Sequence, residues 1–316
     1  MSTTTQRGGY RSRRVLTTLA KMNADAVEMI SRADGVATTA DLLTVMTRQQ
    51  LDVAVRRGRL IRVWRGVYAV EQPDLLMRLR ALDLLIDGHA VACLHTAAAL
   101  YGFGVEDTGA VHVLDPGSRL RSGGGLVVHQ REGAPLQLVT GRHATSPAWT
   151  AVEVARQVRR PRALATLDSA LHSGWCSPAD LAATIDRHRG RRGIVTVRNL
   201  LPLADGRAES AMESEARLVM IDHGLPRPEL QHLIRGRHGE CWRVDYAWPQ
   251  VRVAAEYESV DWHVGRAEML RDKKRFAGVQ DVGWIVIPIV VDDVRRHPAR
   301  LCERIRGHLN RASLAS

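Results

Sequence analysis

Carboxylates near the C-terminus are the side chains whose types and spacing could do chemistry. Asp245 lies inside one predicted strand, and Glu256, eleven residues later, ends the next strand together with Glu258. An acid within an otherwise apolar strand costs free energy unless it is paired or binds a metal. Because side-chain direction alternates, Glu256 and Glu258 share one strand face. Across the short turn Pro249-Gln250, Asp245 and Glu256 can approach each other and offer oxygen ligands suited to Mg²⁺ or Mn²⁺.

Phosphodiester hydrolysis is the reaction that such a site predicts. It needs a cation on the phosphoryl oxygen, an activated water and neutralisation of the leaving oxygen. Asp245 and Glu256 would hold the metal, and His263 would activate water or donate a proton. Glu213, on the preceding predicted helix, is a further acid that can position a metal through water. Basic residues of the following predicted helix would meet the phosphates, namely Lys273, Lys274 and Arg275.

Structural salt bridges are the alternative for the same acids. Asp245 and Glu256 have arginines nearby in the sequence that can neutralise them, which are Arg243, Arg252 and Arg271. Two acids on two strands favour neither interpretation by themselves.

A second group of charged residues lies near the N-terminus. Between Val53 and Val70 there are five arginines and no acid, the arginines being Arg56, Arg57, Arg59, Arg62 and Arg65. Arg48 and Gln49 open a predicted helix just before them, and both residue types can make two hydrogen bonds to one base. The pattern predicts a surface for duplex DNA, and a charged, solvated face on a small helical domain is the alternative.

The elements around these arginines predict a winged helix-turn-helix. They are helices at Ala24–Ser31, Ala40–Val45 and Arg48–Arg57, followed by a strand-turn-strand at Leu60–Val70. Thr47 is the expected cap of the third helix and Gly58 its stop, while Gly66 marks the turn. In such a fold the first residues of the recognition helix face base edges and a basic wing flanks the phosphates. Trp64 is expected to pack within the wing rather than to stack on a base.

The rest of the chain predicts a mixed α/β middle region and a layered α/β domain after it. Predicted elements of the middle region are helices at Leu76–Ile86, Ala90–Leu100, about 146–158, Arg162–Ser173 and Ser177–Arg187, and strands at Ala110–Leu114 and Gly125–Gln130. Those of the last region are helices at Glu209–His223, Arg266–Val282 and Asp292–Leu309, and strands at Cys241–Trp248, Val251–Tyr257 and Trp284–Val290. The expected organisation is a multidomain α/β chain with a basic flexible arm (1–22), a winged helix-turn-helix (23–72), a middle domain (73–205) and a C-terminal domain (209–316).

The overall charge favours a polyanionic partner. The net charge of the 316 residues is +11 and the pI about 10.3. Nucleic acid comes before a membrane as that partner, because each phosphate contact releases counterions. Solubility alone is the alternative explanation. The four cysteines are far apart, and no apolar run is long enough for a membrane span, so we expect a cytoplasmic protein without a membrane partner. The oligomeric state stays open.

The N-terminal segment resembles a known family. The residues that carry the resemblance are Gly35-Val36-Ala37-Thr38, Leu51, Arg57-Gly58-Arg59-Leu60-Ile61-Arg62 and Arg65-Gly66-Val67-Tyr68. They look like the N-terminal winged helix of AbiEi-type antitoxins of type IV toxin–antitoxin systems, which implies binding of operator DNA. His95-Thr96-Ala97-Ala98 and Thr145-Ser146-Pro147-Ala148 resemble the middle portion of longer proteins of this kind. His95 itself is expected to be structural.

The C-terminal segment, about residues 210–308, resembles a different superfamily. Its motifs are Glu213-Ser214 with Arg217, Gly224-Leu225-Pro226-Arg227-Pro228, Gln231, Arg243-Val244-Asp245, Glu256-Tyr257-Glu258, Trp262-His263, Arg271-Asp272 and Gly283-Trp284. They are similar to a PD-(D/E)xK group related to very-short-patch repair endonucleases, which implies a restriction-endonuclease-like fold. By this resemblance Asp245 would be the metal-binding acid, Glu256 the second acid and His263 the catalytic histidine. Glu258 stands where the superfamily has Lys, and one extra residue precedes His263.

Two functions are therefore predicted for this chain. The first is a metal-dependent DNA endonuclease that its winged helix targets, in phage defence or DNA repair. The second is a non-catalytic transcriptional regulator or antitoxin, whose nuclease-like domain grips DNA or a protein partner such as a toxin. The sequence favours the first, because Asp245, Glu256 and His263 occur together. The missing Lys argues for the second.

Overall fold

The computed structural model describes residues 24–117, 120–130, 133–258 and 266–315. Over these ranges the chain forms two compact units. The first extends to Thr96 and includes Thr108–Ala144, and the second comprises Ala97–Asp107 and the chain from Thr145 onward. Both mix helices with strands, which confirms the predicted multidomain α/β class. The border between the units falls inside the predicted middle domain, whose boundaries stay a prediction.

Short elements make up the N-terminal half of the chain. In chain order they are α1 (Ala24–Arg32), β1 (Val36–Thr38), α2 (Thr39–Leu43), α3 (Arg48–Arg56), β2 (Ile61–Trp64), β3 (Val67–Ala69), α4 (Leu75–Ile86), α5 (Leu94–Leu100), β4 (Val111–Leu114), β5 (Leu126–His129), β6 (Leu136–Val139) and β7 (Arg142–Thr145). Strand β3 lies between β1 and β2 in an antiparallel sheet. Strands β4 and β5 pair in parallel, and β6 and β7 form another two-stranded sheet.

Local signals explain where the first helices begin and end. Thr38 and Thr47 cap α2 and α3, and each side-chain oxygen accepts a hydrogen bond from the backbone N–H three residues later. Gly58 and Gly66 have φ values of 66° and 86°, a conformation that glycine adopts at low cost. The helices and the sheet then enclose a small apolar core, built from Ala26, Ile30, Ala37, Leu42, Met46, Leu51, Ala54, Leu60 and Tyr68.

Helices and one larger sheet form the C-terminal half. The elements are α6 (Pro147–Ala155), α7 (Arg160–His172), α8 (Pro178–Arg187), α9 (Ile194–Leu200), α10 (Ala211–Asp222), β8 (Glu229–Arg235), β9 (Cys241–Trp248), β10 (Val253–Tyr257), α11 (Arg266–Asp281), β11 (Ile285–Ile289), α12 (Val291–Arg295) and α13 (Pro298–Ala315). The sheet order is β11-β10-β9-β8, with β10 and β11 parallel and the other pairs antiparallel. Within the described ranges, every helix is too short or too polar to cross a bilayer.

Apolar cores cover both faces of this sheet. Val253 and Ala255 point into a core shared with α10 and α13, whereas Ala254 points to the opposite face, where Val279 of α11 is buried. The alternation of β10 therefore separates two apolar layers. A charged side chain in the middle of this sheet is consequently only partly exposed to water, as Asp245 and Glu256 are.

Some elements differ from the predicted ones. The helix predicted at Ala90–Leu100 begins at Leu94, because Ala92 forms β-bridges with Val113 and Ala144. The helix predicted at Asp292–Leu309 is divided into α12 and α13, and α13 begins at Pro298, which disfavours helical backbone in the preceding residue. Strands β1, β6, β7 and β8 and helix α9 were not predicted.

Candidate functional site

Helix α3 presents its polar side to solvent. Leu51 and Ala54 are buried against the N-terminal core, so the residues on the other side of the helix face outward. Arg48 and Gln49, at its first turn, are both exposed. Thr47 holds this turn in place, since its hydroxyl accepts the Gln50 N–H (3.2 Å) and the Gln50 side chain accepts the Thr47 N–H (2.7 Å).

The other predicted arginines follow in the sequence, at the C-terminal end of this helix, in the loop after it and on the strand and turn of the wing. We call them, with Arg48 and Gln49, the basic surface; its arginines after Arg48 are Arg56, Arg57, Arg59, Arg62 and Arg65. All of these are exposed except Arg59, which is half-buried. The Arg62 guanidinium lies 5.9 Å from the centroid of the Tyr68 ring, within the range of a cation–π contact. Trp64 is buried and donates its indole N–H to the Arg78 carbonyl (2.8 Å), which confirms that it packs.

Three polar side chains lie in a row across the larger sheet. The pairs Leu230–Tyr246 and His232–Val244 leave Gln231 of β8 opposite Asp245 of β9. The pairing of Ala255 with Tyr246 likewise places Glu256 of β10 opposite Asp245. We call Gln231, Asp245 and Glu256, with Glu213 of α10, the acidic row. The predicted approach of Asp245 and Glu256 follows from this register.

The acidic row coincides with a break in strand alternation. Leu230 packs in the core on one face of the sheet and Ile234 in the core on the other, although a regular strand would place them on the same face. Gln231, between them, has φ of 52°, a left-handed conformation that is rare without glycine. Backbone strain of this kind is concentrated at functional sites, which makes the row a candidate site.

Asp245 is the most perturbed acid of the row. Burial raises its pKa to about 6, and the negative charges of Glu213 and Glu256 act in the same direction. The Tyr257 N–H, which donates to Asp245 Oδ2 (2.8 Å), and the charge of Arg275 oppose this rise in pKa. A carboxyl group of this kind exchanges its proton close to neutral pH.

Glu256 forms an ion pair with Arg275, to which the sequence pattern assigned a different role. Arg275 of α11 donates from Nη1 to Glu256 Oε2 (2.9 Å) and from Nη2 to Glu256 Oε1. The same Nη2 donates to the Arg243 carbonyl of β9 (2.9 Å). The predicted alternative of a structural salt bridge thus applies to Glu256, but its partner is Arg275, which the sequence pattern placed on phosphates.

Glu213 has contacts of its own. It is nearly buried in the first turn of α10, where its Oε2 accepts the Glu209 N–H (3.0 Å) and the Gln231 side-chain amide (3.1 Å). The other amide atom, Gln231 Oε1, is buried without a hydrogen-bond partner among the described residues. Glu213 therefore joins α10 to β8 beside Asp245, and Gln231, to which the sequence gave no role, belongs to the row.

The remaining predicted site residues do not join the row in the described part of the chain. Glu258 is exposed and lies just beyond the end of β10. Lys273 and Lys274 are exposed on α11. His263 lies outside the described residues, so its predicted role in proton transfer stays a prediction.

The predicted Mg²⁺ or Mn²⁺ does not fit the acidic row as it is folded. Among the described residues, no group of three or more His, Cys, Asp or Glu side chains could hold a metal ion. Both oxygens of Glu256 already accept hydrogen bonds from a guanidinium. Magnesium instead requires several oxygen ligands that converge at about 2.0–2.1 Å.

Comparison with known proteins identifies relatives that match most of the chain. The uncharacterized protein MT2308 of Mycobacterium tuberculosis (strain CDC 1551 / Oshkosh) is 67% identical over 270 residues, which is 85% of this chain and 100% of that protein. The uncharacterized protein Rv2248 of strain ATCC 25618 / H37Rv matches to the same extent. The chain belongs to the family of these mycobacterial proteins.

One segment of the chain also matches a described domain. Residues 90–203 match the family model of the AbiEi antitoxin C-terminal domain. The match supports the predicted AbiEi-type resemblance and covers the chain from α5 to α9. It lies between the basic surface and the acidic row, and contains neither.

The matched segment holds a cluster of histidines. His112 Nδ1 and His129 Nε2 are 2.9 Å apart, and the rings of His95 and His112 lie 5.4 Å from each other. Burial and the two neighbouring imidazoles lower the pKa of His112 to about 4. His112 is therefore neutral at physiological pH, and it contributes to the packing of β4 on β5. The sequence predicts a structural role of the same kind for His95.

Proposed function

We propose that this protein is a DNA-binding regulator of the antitoxin type, which contacts duplex DNA through residues 23–72. The observation that carries the proposal is the basic surface, whose exposed arginines lie at both ends of the capped helix α3, on β2 and in the turn between β2 and β3. The order α1, β1, α2, α3, β2, β3 supports the assignment of a winged helix to these residues. The AbiEi antitoxin match at residues 90–203 supports the same class.

In this proposal the two ends of the basic surface have different roles. Arg48 and Gln49 would read base edges, because they stand at the first turn of the recognition helix. Arg57 and Arg62 would contact phosphates, which position the protein without selecting sequence. A toxin is the protein partner that the antitoxin class implies, and the cytoplasm is the compartment in which both partners would meet the protein.

Removal of two phosphate-binding side chains tests the proposal. We expect Arg57→Ala combined with Arg62→Ala to weaken binding to a fluorescent duplex from the protein's own promoter by about ten-fold or more. The slope of log K against log salt should flatten by about one unit for each phosphate that the variant does not neutralise. Fluorescence anisotropy over a salt range of about 50–300 mM measures both the affinity and the slope.

A variant of equal charge change serves as the control. Arg192 and Arg198 are also exposed, in the α8–α9 region, and Arg192→Ala with Arg198→Ala removes the same two positive charges. This control should keep the affinity and slope of the wild type. Equal losses of affinity in both double variants would mean that only net charge determines binding. Unchanged affinity in Arg57→Ala with Arg62→Ala would mean that the basic surface is only a charged, solvated face.

Cleavage of DNA is the second candidate function. Its support is the register that places Asp245 opposite Glu256, with Glu213 close enough to act on the pKa of Asp245. For this chemistry Mg²⁺ or Mn²⁺ would be held by Asp245 and Glu256, and His263 would replace the missing Lys. The pairing of Glu256 with Arg275 favours the regulator instead.

A plasmid assay distinguishes the two candidates. We expect supercoiled plasmid to stay intact with the wild-type protein and Mg²⁺ or Mn²⁺, because the acids of the row are already satisfied within the protein. Nicking that Asp245→Ala abolishes, with DNA binding retained, would instead establish the endonuclease. A contaminating nuclease would be recognised by nicking that persists in Asp245→Ala.

A further inference from the structure

Arg275 makes the kind of contacts at Glu256 that a bound cation would make. Its guanidinium donates to both carboxylate oxygens and also to the Arg243 carbonyl (2.9 Å), so it bridges β10 and β9. The Glu256 side chain is 15% exposed and that of Arg275 33%. A bidentate arginine–carboxylate pair is stronger and geometrically more specific than an ion pair with a single hydrogen bond.

The neighbouring acids are satisfied by backbone and amide donors. Asp245 Oδ2 accepts the Tyr257 N–H, and Glu213 Oε2 accepts two N–H groups. A divalent ion at the row would compete with these donors and would also meet the positive charge of Arg275. At a few ångströms, repulsion between like charges in a partly buried site is worth several kcal/mol.

We propose that Arg275 is the built-in cation of the acidic row, which neutralises Glu256 and excludes divalent metal ions from it. Arg275 then joins β10 to β9, and Glu213 joins α10 to β8, without a metal. This role is independent of DNA binding by the basic surface, so the failure of one proposal leaves the other intact. A direct consequence is that metal binding is gained, and not reduced, when Arg275 is replaced.

Titration of the full-length protein with Mn²⁺ tests this gain. Free Mn²⁺ is measured by its electron paramagnetic resonance signal at pH 7.5, where Asp245 is ionised. We expect Arg275→Ala to bind one Mn²⁺ at least ten-fold more tightly than the wild type, because Asp245 and Glu256 are then adjacent carboxylates without a counter-charge. Adding Asp245→Asn to Arg275→Ala should return the affinity to that of the wild type.

Two further variants serve as controls for the position of the lost charge and for folding. Arg271→Ala removes an exposed arginine one turn earlier on α11 and should leave Mn²⁺ binding unchanged. Arg275→Met replaces the aliphatic stem of the side chain without its charge and gives the same information if the alanine variant does not fold, as judged by circular dichroism. A wild-type protein that binds Mn²⁺ through Asp245 would overturn the proposal. So would folded Arg275 variants that bind no more Mn²⁺ than the wild type.

Discussion

Replacement of Arg217 by methionine should lower the free energy of unfolding by about 3–5 kcal/mol, the usual cost of leaving one member of a buried ion pair without its partner. Arg217 of α10 is 5% exposed and donates to Asp168 Oδ2 of α7 (2.5 Å) and to the Leu203 carbonyl (2.5 Å). Asp168 is 1% exposed, and burial raises its pKa despite the guanidinium. Without Arg217, this carboxylate would keep only neutral donors, such as the Asp205 N–H (2.8 Å).

Urea unfolding at pH 7 measures this destabilisation, and two variants show its origin. Arg207, close by in the chain, forms an exposed ion pair with Asp205, so Arg207→Met should cost less than about 1 kcal/mol. Adding Asp168→Leu to Arg217→Met should recover most of the stability, because no buried charge is then left alone. A destabilisation by Arg217→Met no larger than that by Arg207→Met would contradict the assigned role of the pair.

This ion pair joins two segments that the sequence pattern assigned to separate domains. Asp168 lies in the segment that matches the antitoxin domain, and Arg217 lies in the predicted C-terminal domain. The two side chains are 49 residues apart, and no local pattern indicates that they meet. Only the tertiary fold shows that both segments belong to one compact unit.

The N-terminal elements could be predicted from the sequence because their signals are local. Thr47 and Gln50 cap α3 across three residues, and Gly58 and Gly66 supply backbone conformations at single positions. Strand β8 lacked such a signal. Its alternation changes face at Gln231, so neither a helical nor a strand period runs through it.

Part of the acidic row could be predicted because its signal is also local in the sequence. Asp245 and Glu256 lie on strands joined by a short turn, and their approach follows from connectivity. The partner of Glu256 could not be derived in this way. Arg275 is 19 residues away on a helix, and several arginines nearby in the sequence were equally eligible. Which of them lies against Glu256 depends on the packing of α11 on the sheet, which the sequence pattern leaves open.

Asp245→Asn should stabilise the protein at pH 8 by about 2 kcal/mol. The pKa of Asp245 rises from 3.8 to about 6 on folding, so the folded state binds the proton more tightly than the unfolded state. The stability from that proton is fully present below pH 3.8 and is lost as the pH rises through 6. Asparagine stays neutral at every pH and keeps an oxygen that can accept the Tyr257 N–H.

The measurement that decides is the difference in unfolding free energy between Asp245→Asn and the wild type, obtained by urea unfolding from pH 4 to pH 8. Other groups, such as His112, titrate equally in both proteins and cancel in the difference. Glu258→Gln, at an exposed acid just beyond β10, should change the unfolding free energy by less than about 0.5 kcal/mol. A destabilised Asp245→Asn at pH 8 would mean that the charged carboxylate binds a cation in the folded protein, and the metal-free acidic row would then be wrong. A stabilised variant would show that this charge is kept at a cost to folding, as is common for residues that serve a function other than stability.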